Sequence, residues 1–215
     1  MCFTMGSLSS AMAGGAGAII DDIFYAFNVE AHTAEVIRPM TEMTAVFLPD
    51  AFTYGGQVYT VTSISDEAFY ACDAITTLHL PESLTRIGSF AFGCCSGLTT
   101  VKIPKNVTFI NYFAFEGCDN LESVYSYSTV PPTASYAPFG EEPTATLYVP
   151  SGCKSAYATA EGWKLFTNIV EMAPTAIKSV DGAPEANSTA KHKKVLKNGR
   201  LIIDGKYNAA GQRVK

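Results

Sequence analysis

The chain has 215 residues, 47% of them hydrophobic and 16% charged, a balance that supports a sizeable buried core and excludes a disordered polymer. Its net charge of −5 divides unevenly: residues 1–190 carry seven basic and nineteen acidic side chains, whereas residues 191–215 carry eight Lys or Arg and one Asp. An acidic body is ill suited to neutralising phosphates, which argues against nucleic acid as partner, and no run approaches the roughly 20 apolar residues of a membrane-spanning helix.

Residues 1–18 are rich in small and apolar side chains and offer Ala11-Met12-Ala13 and Ala16-Gly17-Ala18 as cleavage sites of the A-x-A type. They read as the end of a secretory leader. Residues 19–60 read as an N-terminal β cap, in which Thr53-Tyr54-Gly55-Gly56-Gln57-Val58-Tyr59 forms a β-hairpin about its Gly-Gly pair.

From Ile64 onward the sequence repeats itself. Ile64, Phe69 and Cys72 recur as Ile87, Phe92 and Cys95, and again as Ile110, Phe115 and Cys118, every member displaced by one constant step. Ala68, Ala91 and Ala114 precede the three phenylalanines. The second half of each unit keeps the same step, with Leu78, Val101, Val124 and Leu147 in one column and Leu80, Ile103, Ser126 and Val149 in the next. Pro81, Pro104 and Pro150 close the segment, and Tyr127 stands where a proline is due. Val46-Phe47-Leu48-Pro49 has the same form as Leu78-His79-Leu80-Pro81 but precedes it by more than one step, so it reads as a modified coil lengthened by the hairpin.

A period in the twenties signals a solenoid, in which no unit can bury its apolar face alone and stacking creates a continuous interior. Thr77-Leu78-His79-Leu80 alternates with period two, so Leu78 and Leu80 share one side of a short strand and Thr77 and His79 the other. The stretch 66–72 is too short for an independent helix and reads as a helical or 3₁₀ turn with Phe69 inward.

The units ISDEAFYACDAITTLHLPESLT, RIGSFAFGCCSGLTTVKIPKNVT and FINYFAFEGCDNLESV closely resemble the BspA-like leucine-rich repeats of secreted and surface bacterial proteins of the Bacteroidetes type. The entry segment IDDIFYAFNVEAHTAEVI with FTYGGQVYTVTSI is similar to that family's β-rich lead-in, and ATLYVPSGCKSAYATAEGWKLFTNIVEM to its closing strand and helix. The resemblance spans about residues 20–172. It implies a right-handed leucine-rich-repeat solenoid, mostly β with short helical turns, over residues 61–172, with a C-terminal strand-helix cap. Tyr157, Ala160, Trp163, Phe166 and Ile169, at three-residue steps, are expected to form the helix face that seals the open end, with Trp163 as its anchor. Ser126, Tyr127 and the four prolines of the loop 129–144 depart from the repeat. The loop Tyr136-Ala137-Pro138-Phe139 reads either as a second candidate binding site or, since Phe139 comes one position later than the step from Phe115 requires, as carrying the core phenylalanine of a degenerate coil.

Residues 173–190 read as a linker. Residues 191–215 read as a basic tail with a small hairpin about Leu201-Ile202-Ile203. That tail resembles C-terminal sorting signals for export and surface attachment.

Chemistry is sparse. Cys72, Cys95 and Cys118 hold one repeat position and read as small buried thiols in successive coils; their spacing fits no zinc motif. Export would permit a disulfide at Cys94 or Cys153. His32, His79 and His192 are scattered, and Asp66, Glu67, Asp119, Glu141 and Glu142 read as solvated turn acids. No catalytic residue, metal site or cofactor is expected.

The solenoid does supply a surface. Outward strand positions align into a column of Phe47, His79, Lys102, Tyr125 and Tyr148, beside a flatter one of Ala45, Thr77, Thr100, Ser123 and Thr146. Aromatic side chains on a rigid sheet lose little rotamer freedom on contact, so this column suits a protein or glycan partner. The expected function is non-enzymatic, adhesion-type recognition by a secreted or cell-surface protein; the competing reading is an envelope spacer with no tight ligand.

Overall fold

In the computed structural model the described residues are 16–173, together with two strand segments, 194–197 and 200–203. The first of these belongs to one compact unit, and the two strand segments to a second.

The first unit opens with antiparallel strands β1 (Ala16–Ile20), β2 (Ile23–Asn28) and β3 (Thr33–Pro39). Asp21 and Asp22 make the tight turn between β1 and β2 at φ 48° and 60°, a conformation that Asp tolerates. Strand β1 takes in Ala16, Gly17 and Ala18, which the sequence assigns to a leader; residues 1–15 lie outside the described ones. The expected hairpin is present as β5 (Ala51–Tyr54) and β6 (Gln57–Ile64), turning at Gly55 and Gly56, both with positive φ.

Beyond the cap the backbone winds in coils with two strand-bearing walls. One wall holds the strands expected from the alternation at residues 77–80: β4 (Ala45–Phe47) with β7 (Thr77–His79), then β9 (Thr100–Ile103), β11 (Ser123–Ser126), β13 (Thr146–Val149) and β14 (Ile169–Glu171). Pairing is parallel and in register, Val46 opposite Leu78, and Val101 opposite Val124, Leu147 and Ile169 in turn. No alternation in the sequence announces the other wall. It continues β3 and β6 through β8 (Arg86–Ile87), β10 (Phe109–Ile110) and β12 (Thr133–Ala134), with Val36, Ile64, Ile87, Ile110 and Ala134 in one inward row.

The third side of each coil is made of turns, and these too are laddered from coil to coil. Glu67, Phe69 and Ala71 donate their N–H groups to the carbonyls of Ser89, Ala91 and Gly93 at 2.8, 2.7 and 2.8 Å, and Phe90, Phe92 and Cys94 do the same to Tyr112, Ala114 and Glu116. A buried backbone needs such partners, and on the turn side the coils find them in one another. The turns also close locally by i to i−3 bonds, as from Tyr70 to Glu67.

Between the walls lies a continuous apolar interior. Phe69, Phe92, Phe115 and Phe139 are buried and stacked ring on ring at 5.1, 5.2 and 5.0 Å, within 8° of parallel. Phe139 thus is the core phenylalanine of the degenerate coil. The Cys95 and Cys118 thiols sit beside this column and donate to the carbonyls of Phe69 and Phe92 at 3.1 and 3.2 Å.

The C-terminal closure differs from the expected long helix. Helix α1 covers only Lys154–Thr159, Ala160 is already extended at ψ 138°, and Gly162 turns at φ 75°, where an added Cβ would lie 2.7 Å from the Ala134 side chain. The chain then returns as strand β14. The seal is therefore a last, tightened coil, because a helix continued past Thr159 would carry Trp163 away from the core. The apolar residues named from the sequence still do the sealing: Tyr157, Trp163, Phe166 and Ile169 are buried, whereas Ala160 is only partly so. Trp163 packs its ring against Phe139 at 5.6 Å and donates its indole N–H to the Pro132 carbonyl at 2.8 Å.

The departure at Ser126 now has a physical reason. Its hydroxyl is buried and meets Tyr157 Oη at 2.7 Å, and Tyr157 Oη reaches the Ser128 carbonyl at 2.8 Å. A polar side chain replaces the repeat's aliphatic one so that the cap tyrosine has a partner.

In the second unit, β15 (Lys194–Lys197) and β16 (Arg200–Ile203) pair as an antiparallel hairpin, as the tail sequence suggests. Residues 174–190 of the expected linker 173–190, His192 and the remainder of the tail lie outside the described residues.

Candidate functional site

The outward column of the first wall falls in register within two separate sheets, β4 with β7 and β9 with β11 and β13. Phe47 faces His79 across β4 and β7, and Lys102, Tyr125 and Tyr148 stand opposite one another across β9, β11 and β13. Alternation places them outward because the intervening Val46, Val101, Val124 and Leu147 point into the core and are fully buried.

The column holds two aromatic groups separated by a cation. At one end Phe47, 64% exposed, lies 6.3 Å from the His79 ring. At the other, Tyr125 and Tyr148 stack at 4.6 Å and 11°, and Tyr127 adds a third ring 6.5 Å from Tyr125. Lys102 is exposed between them. Burial first, then the neighbouring Tyr125 and Glu82, pushes the Tyr127 phenol above its ordinary value, so Tyr127 stays a neutral donor. The flatter column of Ala45, Thr77, Thr100, Ser123 and Thr146 runs alongside, and at its end Asn168 donates to Thr146 Oγ1 at 2.9 Å.

Two members of this face escape a reading at fixed period. Val170, 38% exposed, stands opposite Tyr148 and continues the column, but it comes one position earlier than the step predicts because the last coil is shortened. Tyr127 occupies the proline position, which gives no hint of an outward ring.

Elsewhere the side chains fit structural work. Asp66 accepts the Ser89 N–H at 2.7 Å and so links two coils. Glu141 accepts from Tyr136 Oη at 2.9 Å. Burial raises the Cys95 and Cys118 thiols to about 12, so neither supplies a thiolate at neutral pH. Cys72 departs from the expected trio of thiols, being disulfide-bonded. Cys94 and Cys153, the residues for which export suggested a disulfide, are free thiols; Cys94 points outward while its neighbour Cys95 is fully buried. Among the described residues no three His, Cys, Asp or Glu side chains gather as metal ligands, and no helix is long and apolar enough to cross a membrane.

Residues 57–160 match the family described as BspA type leucine-rich repeat region, in six copies. No curated protein matches the sequence. Among solved structures, the chain is similar to a leucine-rich repeat protein from Bacteroides capillosus, with 27% identity and a TM-score of 0.55 over 63% of this chain and 99% of that one. It is also similar to one from Bacteroides ovatus, with 26% identity and a TM-score of 0.51 over 71% of this chain and 46% of that one.

Proposed function

Because the chain is a BspA-type leucine-rich repeat protein over residues 57–160, we propose that it is a recognition module that binds a protein partner outside the cytoplasm through the outward column Phe47, His79, Lys102, Tyr125 and Tyr148. Solenoids of this kind are in general non-enzymatic scaffolds whose stacked units offer extended binding surfaces. The observation that carries the reading is the in-register ladder of Tyr125 on Tyr148 beside exposed Lys102. Rings stacked on a hydrogen-bonded sheet are already ordered, so contact with a partner costs little further entropy. Tyr, aromatic and cationic groups are also those that dominate binding energy at protein interfaces. Adhesion to a surface protein, with the basic tail serving export or attachment, is the role this reading favours.

The test is capture from extracellular matrix and mucus extracts with the full chain, repeated with His79→Ala, Lys102→Ala and Tyr125→Ala. Loss of a captured protein with unchanged folding supports recognition through this face. Capture of glycans alone transfers the reading to a carbohydrate partner. Absence of any face-dependent partner across such a panel leaves the spacer reading.

A further inference from the structure

A second row of aromatic rings climbs the turn side of the coils, away from the strand column. Tyr70 and Phe90 lie 6.1 Å apart, Phe90 and Phe113 5.3 Å, and Phe113 and Tyr136 5.9 Å. Phe90 and Phe113 are half-buried, Tyr136 is 58% exposed, and Tyr112 beside them is 52% exposed. Phe90 and Phe113 are one repeat step apart and Tyr136, one residue before the equivalent Ala137, extends their row, yet none of them is needed by the interior, where Phe92, Phe115 and Phe139 already fill the column.

The backbone does not ask for these rings either. Phe90 and Phe113 sit at φ 51° and 53°, as do Glu67 and Ala137 at the equivalent places of their coils, at 57° and 45°. The left-handed conformation therefore belongs to the turn, and it favours Gly, Asn or Asp over a bulky side chain. Phenylalanine is retained there at a backbone cost. The rings are also seated: a Cβ added to Gly93 would fall 2.9 Å from Tyr70 Cδ2 and 3.2 Å from Phe90 Cδ1, so the two rings lie down on bare backbone. This is an ordered aromatic strip, not a set of loose side chains.

Its electrostatic setting is negative. At Tyr70 the contact with the Cys94 sulfur, then partial loss of hydration, and after these the carboxylates of Glu67 and Glu116 raise the phenol above its ordinary value, and Glu141 accepts the Tyr136 hydroxyl. Residues 16–173 as a whole carry seventeen acidic and six basic side chains. Ring faces attract cations through their quadrupole, and flanking carboxylates add to that attraction.

We propose that the strip of Phe90, Phe113 and Tyr136, flanked by Glu67, Glu116 and Glu141, is a docking site for an extended, lysine- and arginine-rich polypeptide segment. An extended chain presents every second side chain on one side at about 6.6 Å intervals, close to the ring spacing, so successive cations lie over successive rings. Its backbone runs along the stack of coils, and the carboxylates pair with the cations left between rings. The site is independent of the strand column.

Binding of a labelled peptide of alternating Lys and Ser to the full chain, followed by fluorescence anisotropy, tests this. Phe90→Asn with Phe113→Asn removes the rings while suiting the left-handed backbone, and at least a ten-fold loss of affinity is expected with the far-ultraviolet circular dichroism unchanged. Glu67→Gln with Glu116→Gln and Glu141→Gln gives a second route, with a comparable loss and a flatter salt dependence expected. Tyr125→Ala leaves the affinity unaltered, which separates this site from the strand face. Binding that is absent, that survives both sets of substitutions, or that an equally long Glu/Ser peptide reproduces overturns the proposal.

Discussion

Two aromatic ladders rise through the same coils from near-neighbouring sequence positions, and they differ in every physical respect. Phe69, Phe92, Phe115 and Phe139 stack within 8° of parallel at 5.0–5.2 Å, whereas Phe90, Phe113 and Tyr136 meet at 33–86° and 5.3–5.9 Å. The inner rings are wedged between two walls of strands, where close packing leaves one orientation. The outer rings are held on one side only. Aromatic identity inside is thus fixed by volume, while outside it is open to selection for contact with something else.

The severest loss should come from breaking the inner ladder. Phe92→Ala should cost about 3–5 kcal/mol, since it removes buried area and leaves a cavity between rings that cannot close on one another; chemical denaturation measures this. Phe113→Asn, by contrast, should leave the denaturation midpoint unchanged or raise it. Equal losses for the two substitutions would mean that both ladders are core.

Next comes the seal. Tyr157→Phe leaves Ser126 buried without its partner and should destabilise by about 1–3 kcal/mol, again read by denaturation, whereas removing the outward Tyr127 hydroxyl should not.

The buried ionisable groups predict a pH limit on one side. Burial raises Cys95 and Cys118 from 9.0 to about 12 and Tyr157 from 10.0 to about 12. Folded-state values above the unfolded ones mean that the unfolded chain releases protons first as pH rises. Stability attributable to these groups is fully present below pH 9 and is lost between about pH 9 and 12. Thermal unfolding across pH 7–11 should show a falling midpoint only in the upper part, and Cys95→Val with Cys118→Val should soften the fall. The same burial should protect both thiols from alkylation at pH 8 in the native protein, with Cys94 modified readily; mass spectrometry distinguishes them. The mildest change is expected at the strand face, where Tyr125→Ala should alter stability by less than about 1 kcal/mol because its ring is supported on one side.

Much of the architecture is legible because the period writes the same environment several times. Ile64, Ile87 and Ile110 announce an inward row, although only the coordinates reveal that this row is a second wall of short strands. Two-residue strands carry no alternation to read. The candidate column was legible at Phe47, His79, Lys102, Tyr125 and Tyr148, and illegible at Val170, where the last coil is shortened. The outer ladder at Phe90, Phe113 and Tyr136 is periodic in the sequence, but period alone does not say whether a repeated aromatic faces in or out. The cap shows the opposite error. Three-residue spacing from Tyr157 to Ile169 imitates one helix face, yet Gly162 bends the chain so that Tyr157 reaches the core from a short helix and the later side chains from a turn and a strand.

Equal spacing alone dictated that the chain coils, how long its regular coils are, and which side chains share an interior, since it admits one economical way to bury them all. Packing in three dimensions settled which of two neighbouring aromatics faces water, how the open end closes, and why Ser126 is polar. Those outcomes depend on contacts between residues a whole coil or more apart, and on left-handed turns at Phe90 and Cys94 whose side chains do not prefer them. Stacking against the next coil imposes such conformations, and no local pattern encodes that pressure.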